Sequence, residues 1–551
     1  MSASYLDVVE SLRQTFPQPV SDRLHDSYVV FSVMRVLDQV DQLKSARPML
    51  GQPESLDLDS ARSMRMEQTP RSVEQVNAEL VDHLSGMFIW GHPHSQVNVL
   101  TTPTITSIIG GLLPSIYNPN ICSEETSRRV ALAEVESIAM TADLVGYDPD
   151  QSGGVFTFGG TGTLLYGAKI GLEKSAPGTS QRGIQHPGYL LCSGQAHYAC
   201  MTVANWLGLG QDRVIQIPTN QDNAIKTDEL ASRVHQILGD GESIAAVVAT
   251  MGTTDAFGVD DLETMRDICD TATREFQLQA PIHLHADAVI GWAWSVFRDY
   301  DFTENRLEFR PRTVRALAAV NHRMQHLQLA DSIGVDFHKT GFTPYVSSAI
   351  LTRCATDLHR IIRDDSEMPY LFQSGTHHPG KFTLETSRSG SGPMAAFANL
   401  RLFGKDGLRS LLGHLVSMAE VLREELDGHA SATVLNRDNY GPVTLFRVYP
   451  DGVDTFVTPE RERTDPDFQS DMQRYNEYNR RVFELIHDDA LQGEGCVLSL
   501  TDNYRQTAYG QPMVALKSYI MSPFTTDSHV HCVLESIGKA RQTLDAEFRV
   551  R

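Results

Sequence analysis

The stretch DSIGVDFHKTGFTPYVSSAI, residues 331–350, holds an apolar run from Ser332 to His338. The run ends on Lys339 and breaks into a turn built from Thr340, Gly341, Thr343 and Pro344. A short Val- and Ile-containing run bounded by turn formers reads as a buried, mostly parallel strand. Such a strand fixes the stem of the lysine that follows it. A lysine in a loop is ordinarily a solvated surface group. A lysine nucleophile instead needs a site that presents it and lowers its pKa.

Three more runs of this kind lie upstream: Gly188–Ser193, Ala245–Thr250 and Ile282–Ala288. Helical periods fill the gaps, among them Thr126–Gly146 and Asp260–Phe276. Strands alternating with helices predict crossover units and an α/β fold with a mostly parallel central sheet. Residues 1–90 read as an N-terminal helical arm, and 91–404 as the large domain. Beyond about residue 405 the texture changes. Leu408, Leu411, Leu412, Leu415, Ala419, Leu422 and Leu426 recur at three- and four-residue steps, as on an amphipathic helix. A strand from Val443, a helix over about 467–488 and further short strands predict a small C-terminal α+β domain at 405–551. The charged segment Pro459–Pro466 is expected to be an exposed loop.

Four windows at strand ends carry candidate chemistry. In Phe156–Gly171, a strand end leads through Gly159, Gly160, Thr161, Gly162 and Thr163 into a helical run. Glycines allow a sharp bend, and a helix start offers free N–H groups to an anion. The same pattern also serves as a plain tight turn, and the Gly-Lys-Ser/Thr ending of a P-loop is missing. Asp287 closes an apolar strand, where a carboxylate must be paired or hydrogen-bonded. It reads either as a helix N-cap or as a partner for a protonated ring nitrogen. His197 follows a strand and opens a helix, as a capping or core histidine also would. Thr250 lies in the fourth window, Val248–Gly258. All four windows and Lys339 sit at strand C-termini, the edge where α/β sheets bind ligands. A phosphate cradle, an aromatic stacker, an anion for a ring nitrogen and an imine-forming lysine are the groups that pyridoxal 5′-phosphate requires.

The bulk properties exclude other classes. The chain has 551 residues, 41% hydrophobic and 21% charged, as in an ordinary folded protein. A formal net charge of −22, with no basic arm, argues against a nucleic-acid partner or an anionic membrane surface. Seven scattered cysteines without a C-x-x-C pair argue against a disulfide framework or a metal site and fit a reducing cytoplasm. The opening MSASYLDVVESLRQTF reads as an amphipathic helix rather than a signal peptide. Residues 95–122 carry no charge, but their Thr, Pro, Gly and Asn content suits a buried irregular segment better than a membrane span.

From about Gly91 to Gly404 the sequence resembles the group II, fold type I pyridoxal-phosphate-dependent amino-acid decarboxylases, which include aromatic-L-amino-acid, histidine and glutamate decarboxylases. The resemblance is carried by Gln195-Ala-His197, Ala249-Thr-Met-Gly-Thr-Thr254, His285-Ala-Asp-Ala288 and Asp336-Phe-His-Lys339. It implies a PLP-dependent transferase-like fold and the cofactor pyridoxal 5′-phosphate, held as a Schiff base on Lys339. By the same resemblance His197 would stack on the ring, Asp287 would pair with its nitrogen, and Thr250 would lie near it. Thr161, Gly162 and Thr163 would hold the phosphate, with His338 beside it. Ser387, in Thr386-Ser-Arg388, would sit near the phosphate and the dimer partner. Tyr370, in a loop past the lysine, would return a proton to the substrate carbon. A homodimer that decarboxylates a small-molecule substrate, an L-amino acid, is expected.

Asp336-Phe stands where many relatives have Asn-Pro, and Thr340–Tyr345 is closer to lyases acting on phosphorylated sphingoid bases. These departures leave two alternatives beside the decarboxylase. One is a carbon–carbon lyase on a phosphorylated amino alcohol, the other a non-catalytic cofactor-binding protein. The substrate side chain is not readable. His92, His94, Gln96 and Asn98 could line its pocket or simply pack.

Overall fold

The structure, a computed structural model, describes residues 4–368 and 372–545. Its main sheet has seven strands: β1 (Gly153–Thr157), β2 (Tyr189–Ser193), β3 (Val214–Ile217), β4 (Ile244–Thr250), β5 (Leu284–Asp287), β6 (Ser332–Asp336) and β7 (Ser348–Thr352). Their order is β1-β7-β6-β5-β4-β2-β3. Neighbours from β3 to β6 are parallel, while β7 runs antiparallel to both β1 and β6. The expected mostly parallel α/β sheet is therefore present. β4, β5, β6 and β7 are buried along their whole length, which is why they read as continuous apolar runs.

Register places the site. Thr250 pairs with Asp287, so β4 and β5 end level, and Asp287 pairs with Gly334, so β6 runs on past them to Asp336. The helix Gly160–Ser175 lies against this sheet, and two of its glycines are sterically required. A Cβ at Gly171 would stand 2.1 Å from the carbonyl oxygen of Ala245, and one at Gly167 would stand 2.4 Å from His285 Nδ1. The helix can approach β4 and β5 only without those side chains.

A second sheet follows, with order β10-β11-β9-β8: β8 (Ala432–Val434), β9 (Val443–Val448), β10 (Ser499–Gln506) and β11 (Pro512–Tyr519). All its pairs are antiparallel. The leucine-periodic helix is longer than its pattern predicts. It spans Ser391–Asp427 and is broken at Gly404, which has φ 54° and ψ −169°. Helices Gln469–Leu491 and Asp527–Leu544 pack against each other beside the second sheet. Before residue 91 the described chain forms helices Tyr5–Arg13, Arg23–Leu43, Leu58–Ser63 and Val73–Asp82, of which only Val81 is buried.

Two expectations need correcting. The charged segment 459–466 is not an exposed loop. It belongs to helix Thr458–Thr464, and Glu462 within it is fully buried. Its carboxylate pairs with Arg447 at 2.6 Å and accepts from the Tyr449 hydroxyl at 2.8 Å. A buried carboxylate is tolerated there because both oxygens find partners. The uncharged 95–122 segment is buried at both ends, as at Gln96 and Cys122, but it is neither irregular nor buried throughout. It contains helix Ile105–Tyr117, which packs through Ser107, Gly110 and Pro114 and leaves Ile105 78% and Tyr117 80% exposed. The small residues form the packing face, so the large apolar ones turn outward. Among the described residues, no helix is long and apolar enough to cross a membrane.

Candidate active site

A cavity of about 400 Å³ opens at the shared C-terminal edge of β4, β5 and β6. Its wall includes Gly160, Thr161, His197, Thr250, Asp287, Asp336, His338, Lys339 and Tyr345. Five separate strand ends, those of β1, β2, β4, β5 and β6, thus deliver residues to one space.

Lys339 rides on the single helical turn Phe337–Thr340 that follows β6 directly. Its Nζ lies 2.9 Å from Asp336 Oδ2, and its side chain is 20% exposed. Burial alone would lower the amine's pKa, but Asp336, with help from Asp287, outweighs burial and raises it. Asp336 is held by the Ser348 hydroxyl, which donates to Oδ1 at 2.6 Å. His338 is buried, with Nδ1 3.1 Å from the Ser347 carbonyl and Nε2 3.6 Å from Asp336. Its ring meets that of Tyr345 at 4.1 Å between centroids.

Asp287 is the last residue of β5. Its Oδ1 is buried and has no hydrogen-bond partner. Burial pushes its carboxyl up to about 6, against the lowering effect of Lys339. Thr250 ends β4, and its hydroxyl is likewise buried without a partner. Behind Thr250, the buried Asp260 accepts from the Ile225 and Thr250 amides at 2.6 and 2.7 Å and fixes the end of that strand. His197 Nδ1 accepts from the Ala199 amide at 3.1 Å, and burial followed by the Lys339 charge lowers its pKa. This ring is therefore neutral near pH 7 and can present a face to the cavity.

The Gly-rich turn separates into parts. Gly159, at φ 105°, bends the chain into helix Gly160–Ser175, and no side chain caps the helix. Its first N–H groups are left for a ligand, and Thr161 stands beside them. Thr163 does not line the cavity. Its hydroxyl turns inward to the Gly160 carbonyl at 2.8 Å. Gly162 also lies off the wall, and a Cβ there would stand 2.6 Å from Thr157 Oγ1. Ser387 lines an adjoining cavity of about 380 Å³ that shares Phe158, Tyr345 and Val346 with the first. The neighbouring Arg388 is buried in an ion pair with Glu134. Tyr370 lies outside the described residues. His92, His94, Gln96 and Asn98 are not part of the cavity wall. Gln96 instead accepts from Ser518 at 2.6 Å, and His94 meets His529.

Two wall residues were not singled out from the sequence: Asp336 and Tyr345. Asp336 stands three residues before Lys339, a spacing that brings two side chains together on one helical turn. Tyr345 left no local signal, because the β6–β7 pairing of Asp336 with Ser348 is what folds its loop back over the site.

The arrangement fits pyridoxal phosphate on its own terms. A buried carboxylate with one unpartnered oxygen, an uncapped helix start and an amine share a cavity of suitable size. The pyridoxal-dependent decarboxylase conserved domain matches residues 57–310. The chain is 25% identical over 379 residues to the L-2,4-diaminobutyrate decarboxylase of Acinetobacter baumannii, covering 66% of this chain and 68% of that one. It is 24% identical over 419 residues to the L-tyrosine decarboxylase of Enterococcus faecium, covering 67% and 64%. In fold it matches mouse CSAD in apo form (TM-score 0.77, 18% identity, 94% of this chain and 100% of that one). It also matches Oryza sativa TDC with PLP and tryptamine (TM-score 0.76, 17% identity, 96% and 99%). Its motifs, its sheet and these relatives agree in making the chain similar to the pyridoxal-dependent decarboxylases.

Proposed function

We propose that the protein uses pyridoxal phosphate on Lys339 to convert an L-amino acid to its amine and CO₂. The observation that carries this reading is the placing of Lys339 with Asp287, whose Oδ1 has no protein partner, in one buried cavity. The bound cofactor supplies an electron sink for the pair left on Cα when the carboxylate departs. The chain's own groups do the rest. The start of helix Gly160–Ser175 and Thr161 would hold the phosphate, and His197 would cover the ring face. Asp287 would hold a proton on the ring nitrogen, because a charge-assisted hydrogen bond satisfies its orphan oxygen. Asp336 keeps the free Lys339 amine protonated, so the amine must pass its proton to Asp336 or to water before it can act as a nucleophile. Proton return to the substrate carbon is assigned to Tyr370. Tyr345, beside His338, and Tyr198 are the phenols present in the described wall.

Measuring CO₂ and aldehyde release across the standard amino acids tests the reaction class. Release of CO₂ from one or a few of them, abolished in Lys339→Ala, is expected. Aldehyde release from a phosphorylated amino alcohol without CO₂ would refute it.

The working unit in this reading is a homodimer. Ile105, Ile108, Ile109, Leu112 and Leu113 form an exposed apolar face of the kind that marks an interface. Ile105→Asp with Ile109→Asp is expected to give a monomer by sedimentation. A wild-type monomer would remove this part. The seven unpaired thiols support a reducing, cytoplasmic location. The break at Gly404 supports dividing the large and small domains there.

A further inference from the structure

Outside the cofactor cavity, the densest cluster of reactive side chains lies where residues 92–96 cross to the C-terminal sheet. The crossing is tied by two backbone bonds: the Gln96 amide donates to Val497 at 2.9 Å, and the Val497 amide to His94 at 2.8 Å. Helix Asp527–Leu544 runs alongside and presents His529, Cys532 and Ser536 at three- and four-residue steps, hence on one face. The His94 ring meets His529 edge-on at 4.9 Å and stacks with His92 at 5.4 Å. Cys496, the residue before Val497, is fully buried, with Sγ 3.8 Å from Ser536 Oγ. The half-buried Cys532 stands on that face between His529, which meets His94, and Ser536, which meets Cys496. His94 Nδ1 is buried with no hydrogen-bond partner.

We propose that Cys532 and Cys496 form a peroxide-responsive dithiol, in which Cys532 reacts first and Cys496 closes a disulfide. Two cysteines bridged by the same Ser536 face, one reachable from solvent and one enclosed, are the arrangement of an attacking and a resolving sulfur. The groups facing Cys532 are Cys496, His94 with His92 behind it, and His529 and Ser536 on its own helix. The neighbouring Cys496 thiol, with His94 adding to the effect, pulls the Cys532 thiol well below its ordinary range, while that of Cys496 is pushed up. The thiolate is the nucleophile in thiol oxidation. A metal reading fails, since among the described residues no group of three or more His, Cys, Asp or Glu could hold an ion.

The chemistry balances with hydrogen peroxide as oxidant. The Cys532 thiolate attacks one peroxide oxygen, an S–O bond forms and the O–O bond breaks. The departing hydroxide takes a proton from His94 or solvent and leaves as water. The Cys496 sulfur then attacks Cys532, the S–S bond forms and the S–O bond breaks. A second water leaves with the Cys496 proton. Two thiols are oxidised and one peroxide is reduced.

Cys354 provides an internal control, being the one exposed thiol among the seven and lying outside the cluster. The protein loaded with pyridoxal phosphate is treated with one equivalent of hydrogen peroxide, denatured, thiol-counted and peptide-mapped without reductant. The expected result is a loss of two thiols and a cross-linked peptide pair containing positions 496 and 532, both reversed by dithiothreitol. Cys496→Ser should leave a Cys532 sulfenic acid that dimedone traps. His94→Gln should slow oxidation about tenfold, with cofactor binding retained as evidence of folding. Oxidation of Cys354 ahead of Cys532, or a loss of two thiols that persists in Cys532→Ser, would overturn the proposal.

Discussion

Replacing Asp287 by Asn should stabilise the cofactor-free protein while weakening its hold on the cofactor. Asp287 has an ordinary carboxyl pKa of 3.8 in the unfolded chain, and burial raises it to about 6 in the folded one. That gap corresponds to about 3 kcal/mol of stability lost at neutral pH, at about 1.4 kcal/mol per pH unit. The sign follows from proton binding. Between about pH 4 and 6 the folded chain holds a proton that the unfolded chain has released. This group's contribution to stability therefore falls as pH rises through that window, and the full penalty applies above it. Asn carries no charge, so Asp287→Asn should gain about 1–3 kcal/mol at pH 7.5 and about half as much at pH 5. Urea denaturation of both cofactor-free proteins, followed through the buried Trp292 and Trp294, measures the difference. With cofactor the ranking should reverse. Loss of a charge-assisted hydrogen bond of about 1.5–3 kcal/mol weakens cofactor binding by about 10- to 100-fold. A variant that gains nothing, or gains equally at both pH values, would refute the claim that Asp287 is a desolvated carboxylate with one oxygen left for a cation.

Other outcomes follow from the same geometry. Glu462→Gln leaves Arg447 charged and fully buried and should cost about 3–5 kcal/mol in chemical denaturation, whereas an apolar replacement of both partners should recover most of it. Gly171→Ala drives a methyl group into the Ala245 carbonyl and should lower stability by about 1–3 kcal/mol, read as a drop in the thermal midpoint. Asp336→Asn removes the main group that raises the Lys339 pKa. Cofactor attachment, followed by absorbance against pH, should then reach half-rate at lower pH than in the wild type.

How far the site could be read in advance depended on whether a residue's role was local. Lys339 and Asp287 are legible because Asp287 ends one fully buried strand and Lys339 sits on the turn directly after another, and such strands announce themselves as unbroken apolar runs. Thr163 was assigned to the phosphate because a hydroxyl in a Gly-rich turn looks free, yet the helix geometry turns it back onto Gly160. Tyr345 owes its place to the antiparallel return of β7, a long-range pairing that no window of sequence displays. Glu462 was taken for a solvated charge because its counter-ion, Arg447, lies on a different element. Helix Ile105–Tyr117 was misjudged for a related reason: its small residues, rather than its large apolar ones, make the intramolecular contact.

The most direct test is to reduce the protein with borohydride after loading it with pyridoxal phosphate, then digest it and map the modified peptide by mass spectrometry. One pyridoxyl phosphate per chain on Lys339 is the predicted result. Label on another lysine, or no stable label in a correctly folded protein, would contradict it.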